Sequence, residues 1–465
     1  VKLKWLFAVV IGIVGLTGTA SPDDRGGQPR IAPMQPDMGC TVVYATDGEI
    51  ALGGNNEDYG IPLTKVFFLP AEEGAFGRVY FGYENFIWSG GMNDQGLFFD
   101  AMAVDQPVSV PREGKPVYEG TLADKAMAEC ATVDCVVALF EQYHTYDTWY
   151  HQYLFGDAEG SSVIIEPLAI LYNDGGYQVG TNFYQSMTPE QQRTCPRYRT
   201  ATRMLADADA ISVDLIRDVM DATHLEGQSQ TLYSNVYDLT NRVAYVYYFH
   251  DYDHVAVLDL DEELARGRRT LDLSTLFPPN PAAESWSAPI LRDLEEQRAR
   301  RTTTDVDPTI LETYVGRYDI PEDMHYSYPY PFFGVTLDDD TLYLQIKTDK
   351  GWYPLTPQSE TEFFHLSVMN DFSVGFQRGE SGSIKHMVYR EGGREYLLPR
   401  VNTEPPASAP GEALPVTGAA LASPPSTGID SAVDWVTLTS ALVLLALGAW
   451  MAWCGFRRLA FRSHS

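Results

Sequence analysis

Cys40 stands at the head of an apolar, β-branched run, Thr41-Val42-Val43-Tyr44, which reads as a strand. Asp47-Gly48 supplies a hairpin turn, and Ile50 to Asn56 reads as the return strand. The polar cluster Asn55-Asn56-Glu57-Asp58 is thereby carried to the far end of the partner strand, beside Cys40. A thiol nucleophile needs a base, because a free cysteine titrates at about 8.5. If Cys40 became the first residue of a processed chain, its own α-amine, titrating at about 7.7–8.0, would be that base. Nucleophile and base would then share one residue, and no histidine would be required. Asp58 is placed to anchor the ammonium or the thiol by a charge-assisted hydrogen bond. The competing reading makes Cys40 a small buried core residue, the usual fate of a free cysteine.

Cys40-Thr41 with Asn56-Glu57-Asp58 downstream resembles the opening of the choloylglycine hydrolase and penicillin V acylase family. These are N-terminal-nucleophile (Ntn) hydrolases, related to linear amide C–N hydrolases and to isopenicillin N acyltransferases. Three later stretches are similar to the family in the same order. They are Asn93-Asp94-Gln95-Gly96-Leu97, Gly156-Asp157-Ala158-Glu159-Gly160 running into Val163-Ile164-Ile165-Glu166, and Thr181-Asn182. The resemblance implies a four-layer αββα sandwich and hydrolysis of a linear amide through a thioester on Cys40, with no cofactor and no metal. It implies further that Asn182 donates to the oxyanion, that Asp58 orients the N-terminus, and that Asn93 and Arg197 support the site. Asn55 stands where the family carries a substrate-contacting arginine, so Asn55 and Asn56 are the expected substrate-side residues. The asparagine that many members carry after Asn-x-x-Gly-Leu is replaced within Phe99-Asp100-Ala101-Met102-Ala103. Both departures argue against bile salt recognition and leave amide hydrolysis open. The same site could pass the acyl group to an amine, as an acyltransferase does. If Cys40 stays internal, the alternative is a tethered, non-enzymatic binding protein.

The elements that must position these residues fill a chain of 465 residues, long enough for two or three domains. A hydrophobic fraction of 45% suits a packed core, and a formal charge of −30 excludes nucleic acid as a natural partner. Five cysteines in such a length do not make a disulfide scaffold. Cys130 and Cys135 flank a break between two expected helices, Leu122 to Glu129 and Val133 to Tyr143, and read equally as a local disulfide or as two buried thiols. His250-Asp251-Tyr252-Asp253-His254 has ligand types for a metal but reads as a polar loop.

In chain order, residues 1–20 read as a secretory signal and residues 21–39 as a Pro- and Gly-rich pro-segment. Residues 40–287 form the expected α+β catalytic domain and residues 288–304 a charged helical connector. Residues 305–401 carry short strands at regular spacing, an antiparallel β module. Its Tyr314-Val315-Gly316-Arg317-Tyr318 opening resembles a small barrel-like domain appended to some serine β-lactamase-like hydrolases. Residues 402–433 are a Pro/Ala/Ser linker, 434–456 an expected transmembrane helix and 457–465 a basic tail. Arg457, Arg458 and Arg462 place that tail in the cytoplasm and the enzyme outside, acting on a small-molecule amide. Leu414-Pro415-Val416-Thr417-Gly418 matches a sortase signal, although a polar stretch separates it from the apolar run.

Overall fold

In this computed structural model the described residues are 39–403, except 84–87, 105–107, 109–113, 119, 146–150, 228, 322–323, 325–331, 339, 347–351 and 368–370. The expected leader before Gly39, the Pro-rich linker, the sortase-like motif and the apolar span at 434–456 lie outside the described residues. Among those described, no helix is long and apolar enough to cross a membrane.

The first half runs β1 (Gly39–Thr46), β2 (Ala51–Tyr59), β3 (Thr64–Leu69), β4 (Arg78–Tyr83), β5 (Trp88–Asn93) and β6 (Phe98–Ala103). It continues with α1 (Leu122–Glu129), α2 (Val133–Gln142), β7 (His151–Gly156), β8 (Ser162–Glu166), β9 (Ala169–Tyr172) and β10 (Tyr177–Gly180). Then follow α3 (Pro196–Ala206), α4 (Val213–Thr223), β11 (Gln230–Asp238), β12 (Val243–Tyr248), β13 (Asp251–Asp259), α5 (Leu260–Ala265) and β14 (Arg269–Asp272). The strands make two antiparallel sheets, ordered β10-β1-β2-β11-β12-β13 and β14-β3-β4-β5-β6-β7-β8-β9.

Alternation along β1 sorts the side chains between two cores. Cys40, Val42 and Tyr44 face the second sheet and share the intersheet core with its Phe98 and Met102 and with Tyr237 of β11. Val43 and Ala45 face outward onto Ala201 of α3 and Ile216 of α4. The outer face of the second sheet is covered by α1 and α2 through Met127, Val133 and Val136. The result is the αββα layering. Its central strand β2 is thinned by two glycines: a Cβ at Gly53 would lie 2.8 Å from the Phe98 ring, and one at Gly54 2.5 Å from Ile216. Any side chain at either position would push a neighbouring layer away.

Two polar residues tie the layers together. Asp157, in the Gly-Asp-x-x-Gly turn, accepts from Val133 N at the start of α2 (2.8 Å). Asn93 is fully buried. Its amide donates to Met127 O (2.9 Å) and Cys130 O (2.8 Å), and its carbonyl oxygen accepts from Gln95 N and Leu97 N. That set of bonds fastens the β5–β6 turn to the end of α1 and includes none of the groups that touch Cys40. Cys130 and Cys135, on either side of the helix break, are joined as a disulfide.

Several expected boundaries move, each for a visible reason. Strand β2 continues to Tyr59 because Gln230 of β11 pairs with it from the other side. Strand β13 stops at Asp259 and α5 starts at Leu260, where Asp259 accepts from Glu262 N (3.0 Å) as an N-cap. The connector starts earlier than Ala288. It is α6 (Pro281–Ala299), capped by Asn280, whose side chain accepts from Ala282 N and Ala283 N with Pro281 in the first turn. Its Ala283 belongs to the core between the two sheets, whereas its Leu294 packs on Phe364 and Leu366.

After the short α7 (Pro308–Leu311) the β module is a closed antiparallel barrel of eight strands. These are β15 (Gly316–Asp319), β16 (Phe332–Asp338), β17 (Thr341–Gln345), β18 (Trp352–Pro357), β19 (Glu362–Leu366), β20 (Asp371–Arg378), β21 (Ile384–Glu391) and β22 (Arg394–Asn402). Closure leaves no free edge. Trp352 of β18 is buried in the α1–α2 core, so the barrel packs on the outer helix layer of the sandwich.

Replacing Asn93 with alanine would take the side-chain partner from two buried carbonyls and from the buried N–H of Leu97, and loosen the Gln95 N–H at the turn. We expect Asn93→Ala to lower unfolding free energy by about 2–4 kcal/mol. Denaturant titration checks this; a change under about 0.5 kcal/mol would contradict the structural role.

Candidate active site

Pairing between β1 and β2 sets Gly39 opposite Asp58, Cys40 opposite Glu57, and Val42 opposite Asn55. Paired residues share a face, so Cys40, Glu57 and Asn55 look into the space between the sheets. Gly39, Thr41, Asn56 and Asp58 look toward α3 and α4. The motif is thereby split between the two sides of one hairpin.

On the helix side, Arg197 at the start of α3 reaches back across 157 positions to Cys40. Its Nη1 donates to the Cys40 carbonyl oxygen and to Thr41 Oγ1 (3.0 Å), and its Nη2 donates to Asn182 Oδ1 (2.9 Å). Asp58 Oδ2 lies 3.6 Å from Nη1 as an ion pair. The other carboxylate oxygen, Oδ1, accepts from Thr231 Oγ1, which itself accepts from Leu225 N (2.7 Å).

Asn182, just beyond β10, completes the circle. Its Oδ1 accepts from the backbone nitrogen of Cys40 at 2.8 Å. Two donors, Cys40 N and Arg197 Nη2, converge on this one atom, which fixes it as the oxygen of the amide. Asn182 Nδ2 donates to Ala103 O (2.8 Å), and among the described residues its second hydrogen has no acceptor. The nitrogen held by Asn182 is the one that would become an α-amine if the Gly39–Cys40 bond were cut.

On the intersheet side, Cys40 is surrounded by acid. Glu57 Oε1 accepts from Tyr83 (2.6 Å) and Ser89 (3.0 Å), while Glu57 Oε2 and both oxygens of Asp100 are buried without a hydrogen-bond partner. Burial raises the Cys40 thiol well above its ordinary value, and the charges of Glu57, Asp100 and Asp58 raise it further against the opposing pull of Arg197. Burial raises Glu57 as well, against its hydrogen bonds from Tyr83 and Ser89. Asp100 is held well up by burial and then by Glu57. Burial pushes Asp58 up to about 8, although Arg197 and Thr231 draw it down. In the uncleaved chain the thiol is therefore kept neutral.

The structure gathers Cys40, Asp58, Asn182 and Arg197 into one network. Asn55 shares the Cys40 face, but its Oδ1 accepts from Asn235 (3.0 Å) and its Nδ2 is buried without a partner. Asn56 points away: its amide donates to Met220 O and Thr223 Oγ1, and its oxygen accepts from Ser234. Glu57, Asp100 and Thr231 were not expected from the sequence. The alternation of β2 alone would have put Glu57 beside Cys40; Thr231 and Asp100 arrive from other strands and left no local signal.

No protein-family description matches the chain, and no curated protein matches it. Among solved structures it is similar to a variant of the conjugated bile acid hydrolase from Clostridium perfringens, at 14% identity and a TM-score of 0.42, covering 52% of this chain and 97% of that one. A second variant of that hydrolase gives 15% identity and a TM-score of 0.41, with the same coverage. Penicillin V acylase from Agrobacterium tumefaciens gives 16% identity and a TM-score of 0.37, covering 50% of this chain and 91% of that one.

Asp58 makes stability depend on pH. Its carboxyl holds a proton more tightly in the folded chain, at about 8, than at the ordinary 3.8 of an open chain. Its contribution is therefore complete below about pH 4 and is lost as pH rises through about 8. We expect the uncleaved protein to lose stability between those limits, and Asp58→Asn to flatten the loss. Denaturation midpoints at pH 5 and pH 8 check it; an unchanged slope in Asp58→Asn would contradict the assignment.

Proposed function

We propose that this protein is a cysteine N-terminal-nucleophile amidohydrolase, matured by loss of everything before Cys40. The observation that carries the reading is the hydrogen bonding of the Cys40 main chain. Asn182 holds its nitrogen and Arg197 its carbonyl oxygen. A cysteine serving only as core filler has no need of side chains that fix its own backbone atoms from two distant segments.

After cleavage the freed α-amine takes the proton of Sγ, and Sγ attacks the substrate carbonyl carbon. The second hydrogen of Asn182 Nδ2 meets the oxygen as it becomes an oxyanion. As the C–N bond breaks, the α-ammonium returns the proton to the leaving amine, and a thioester remains on Cys40. Water then attacks the thioester carbonyl as it gives a proton to the same amine; the C–S bond breaks, the carboxylic acid leaves, and the proton returns to Sγ. Asp58 and Asn182 Oδ1 are the acceptors for the ammonium form. Its positive charge also opposes the burial, and the carboxylate charge behind it, that hold the thiol neutral before cleavage. The site favours an amide that is neutral or cationic around the scissile bond, since a substrate carboxylate would have to shed its water in a buried acidic space beside Glu57. An export leader and a C-terminal membrane tether remain part of the proposal.

We expect Cys40→Ala to abolish amide turnover and Cys40→Ser to remove most of it, because a hydroxyl is the poorer nucleophile near neutral pH. In a panel of paired amides, those with a neutral or cationic leaving amine should exceed their carboxylate-bearing partners by about tenfold or more in kcat/KM. Glu57→Gln should narrow that ratio. Steady-state hydrolysis with product analysis, run with and without added amines, checks the set and separates hydrolysis from acyl transfer. Wild-type turnover in Cys40→Ala would overturn the mechanism.

A further inference from the structure

Three side chains outside the Cys40 network converge near the end of α4. A ring nitrogen of His224, a carboxylate oxygen of Glu226 and a ring nitrogen of His250 lie within 4.8 Å of one another. The two imidazoles lie nearly parallel, with centroids 5.0 Å apart. His224 Nδ1 is at hydrogen-bond distance from Asp221 O. A carbonyl oxygen only accepts, so Nδ1 carries the hydrogen. In the neutral ring the Nε2 lone pair is then directed at Glu226 Oε1, 3.2 Å away. Two acceptors face each other in that form, and either a second proton on the ring or a metal cation between them resolves the conflict. His250 Nε2 is buried with no hydrogen-bond partner.

The backbone at His250 is a second, independent observation. Tyr248 pairs with Asp251, so β12 and β13 are joined by a two-residue turn, Phe249-His250. Both turn residues are left-handed, with φ of 50° and 60°. A turn of this kind favours Asn and Gly. Phe and His in these positions are disfavoured by the local backbone, and such conformations gather where a side chain has a task. The Phe249 side chain packs on Trp286 of α6. The His250 ring lies against the rings of His224 and Phe249, and its Nε2 is buried without a hydrogen-bond partner.

We propose that His224, Glu226 and His250 form a site for a divalent transition-metal ion of the zinc type. Two imidazoles and one carboxylate are a donor set that zinc takes at about 2.0–2.2 Å, with a fourth position left to water. Ligand atoms around such an ion stand roughly 3.4 Å apart in tetrahedral geometry. The His224–Glu226 edge already has that spacing. The Nδ1 hydrogen bond to Asp221 O is the outer-sphere contact that fixes a metal-binding histidine in the correct tautomer. The pair His250/His254, suggested by the local sequence, does not form the site: His254 Nδ1 instead meets Asp251 Oδ2 at 2.8 Å.

The metal would brace the 224–226 turn. Leu225, between the two ligands on that turn, bonds through its nitrogen to Thr231 Oγ1, the hydroxyl that donates to Asp58. Its Cδ1 lies 3.0 Å from where a Cβ on Gly39 would stand. The turn thus closes one wall around the Gly39–Cys40 bond.

The test uses the full chain, stripped with chelator and titrated with zinc sulfate by calorimetry and by thermal unfolding. We expect about one equivalent bound and a saturable rise in melting temperature. His224→Gln and His250→Asn should each weaken zinc binding by at least about tenfold and abolish the temperature rise. Asparagine suits the left-handed turn position, so His250→Asn should unfold no earlier than the wild type when metal is absent. Cobalt substituted for zinc should show no thiolate charge-transfer band, which separates this site from cysteine ligation. Equal zinc affinity in the wild type and His250→Asn, a thiolate band, or no saturable binding would overturn the proposal. The last result would leave only a protonated His224 paired with Glu226. None of these readouts depends on amide turnover, so the metal site and the catalytic reading fail separately.

Discussion

The guanidinium of Arg197 is the point at which separately folded segments meet. It holds the Cys40 carbonyl oxygen and Thr41 from β1, Asn182 from the end of β10, and Asp58 from β2. A guanidinium presents five donors in a fixed plane, so one side chain can satisfy acceptors that approach from several directions. Lysine could not reproduce that fork. The close fit is visible from the Gly39 side as well: a Cβ there would fall 2.7 Å from Arg197 Nη2. The residue before Cys40 is therefore glycine for a steric reason: a Cβ there would crowd the Arg197 guanidinium and the Leu225 side chain.

Burial and charge act together around this hub. Asp58, Glu57 and Asp100 are all nearly or fully buried, and each carboxyl is raised by the loss of water. With them, the Cys40 thiol stays protonated in a chain that still carries Gly39. Under the proposed mechanism, maturation changes this balance without moving any layer of the sandwich. Cleavage converts one amide nitrogen, already held by Asn182, into a titratable amine, and the acidic surroundings then favour its charged form. The zinc-type site proposed near His224 would brace the loop that carries Leu225 against the same bond.

Local pattern made the Cys40 hairpin legible. β-Branched residues, an Asp-Gly turn and a polar end to the second strand describe β1 and β2 almost to their limits. The same alternation carries the face assignment of Glu57, which the Asn-x-Asp resemblance skips over. Asp259-x-x-Glu262 and Asn280-Pro281 are helix starts written in the sequence, and they account for α5 and for the earlier start of α6. The non-local contacts were not legible. Thr231 reaches Asp58 across 173 positions and Asn182 reaches Cys40 across 142, and only the pairing order β10-β1-β2-β11 brings them together. Asn93 shows the opposite limit. Its motif resemblance placed it with the catalytic residues, whereas its four hydrogen bonds belong to the β5–β6 turn and α1.

The central claim is that Cys40 acts as the first residue of the mature chain, with its own amine as base. N-terminal sequencing combined with intact-mass measurement on fully active protein tests it most directly. The predicted result is a chain that begins at Cys40, with every preceding residue gone. Full activity in protein that retains residues 21–39 ahead of Cys40 would contradict it, because an amide nitrogen cannot accept the thiol proton.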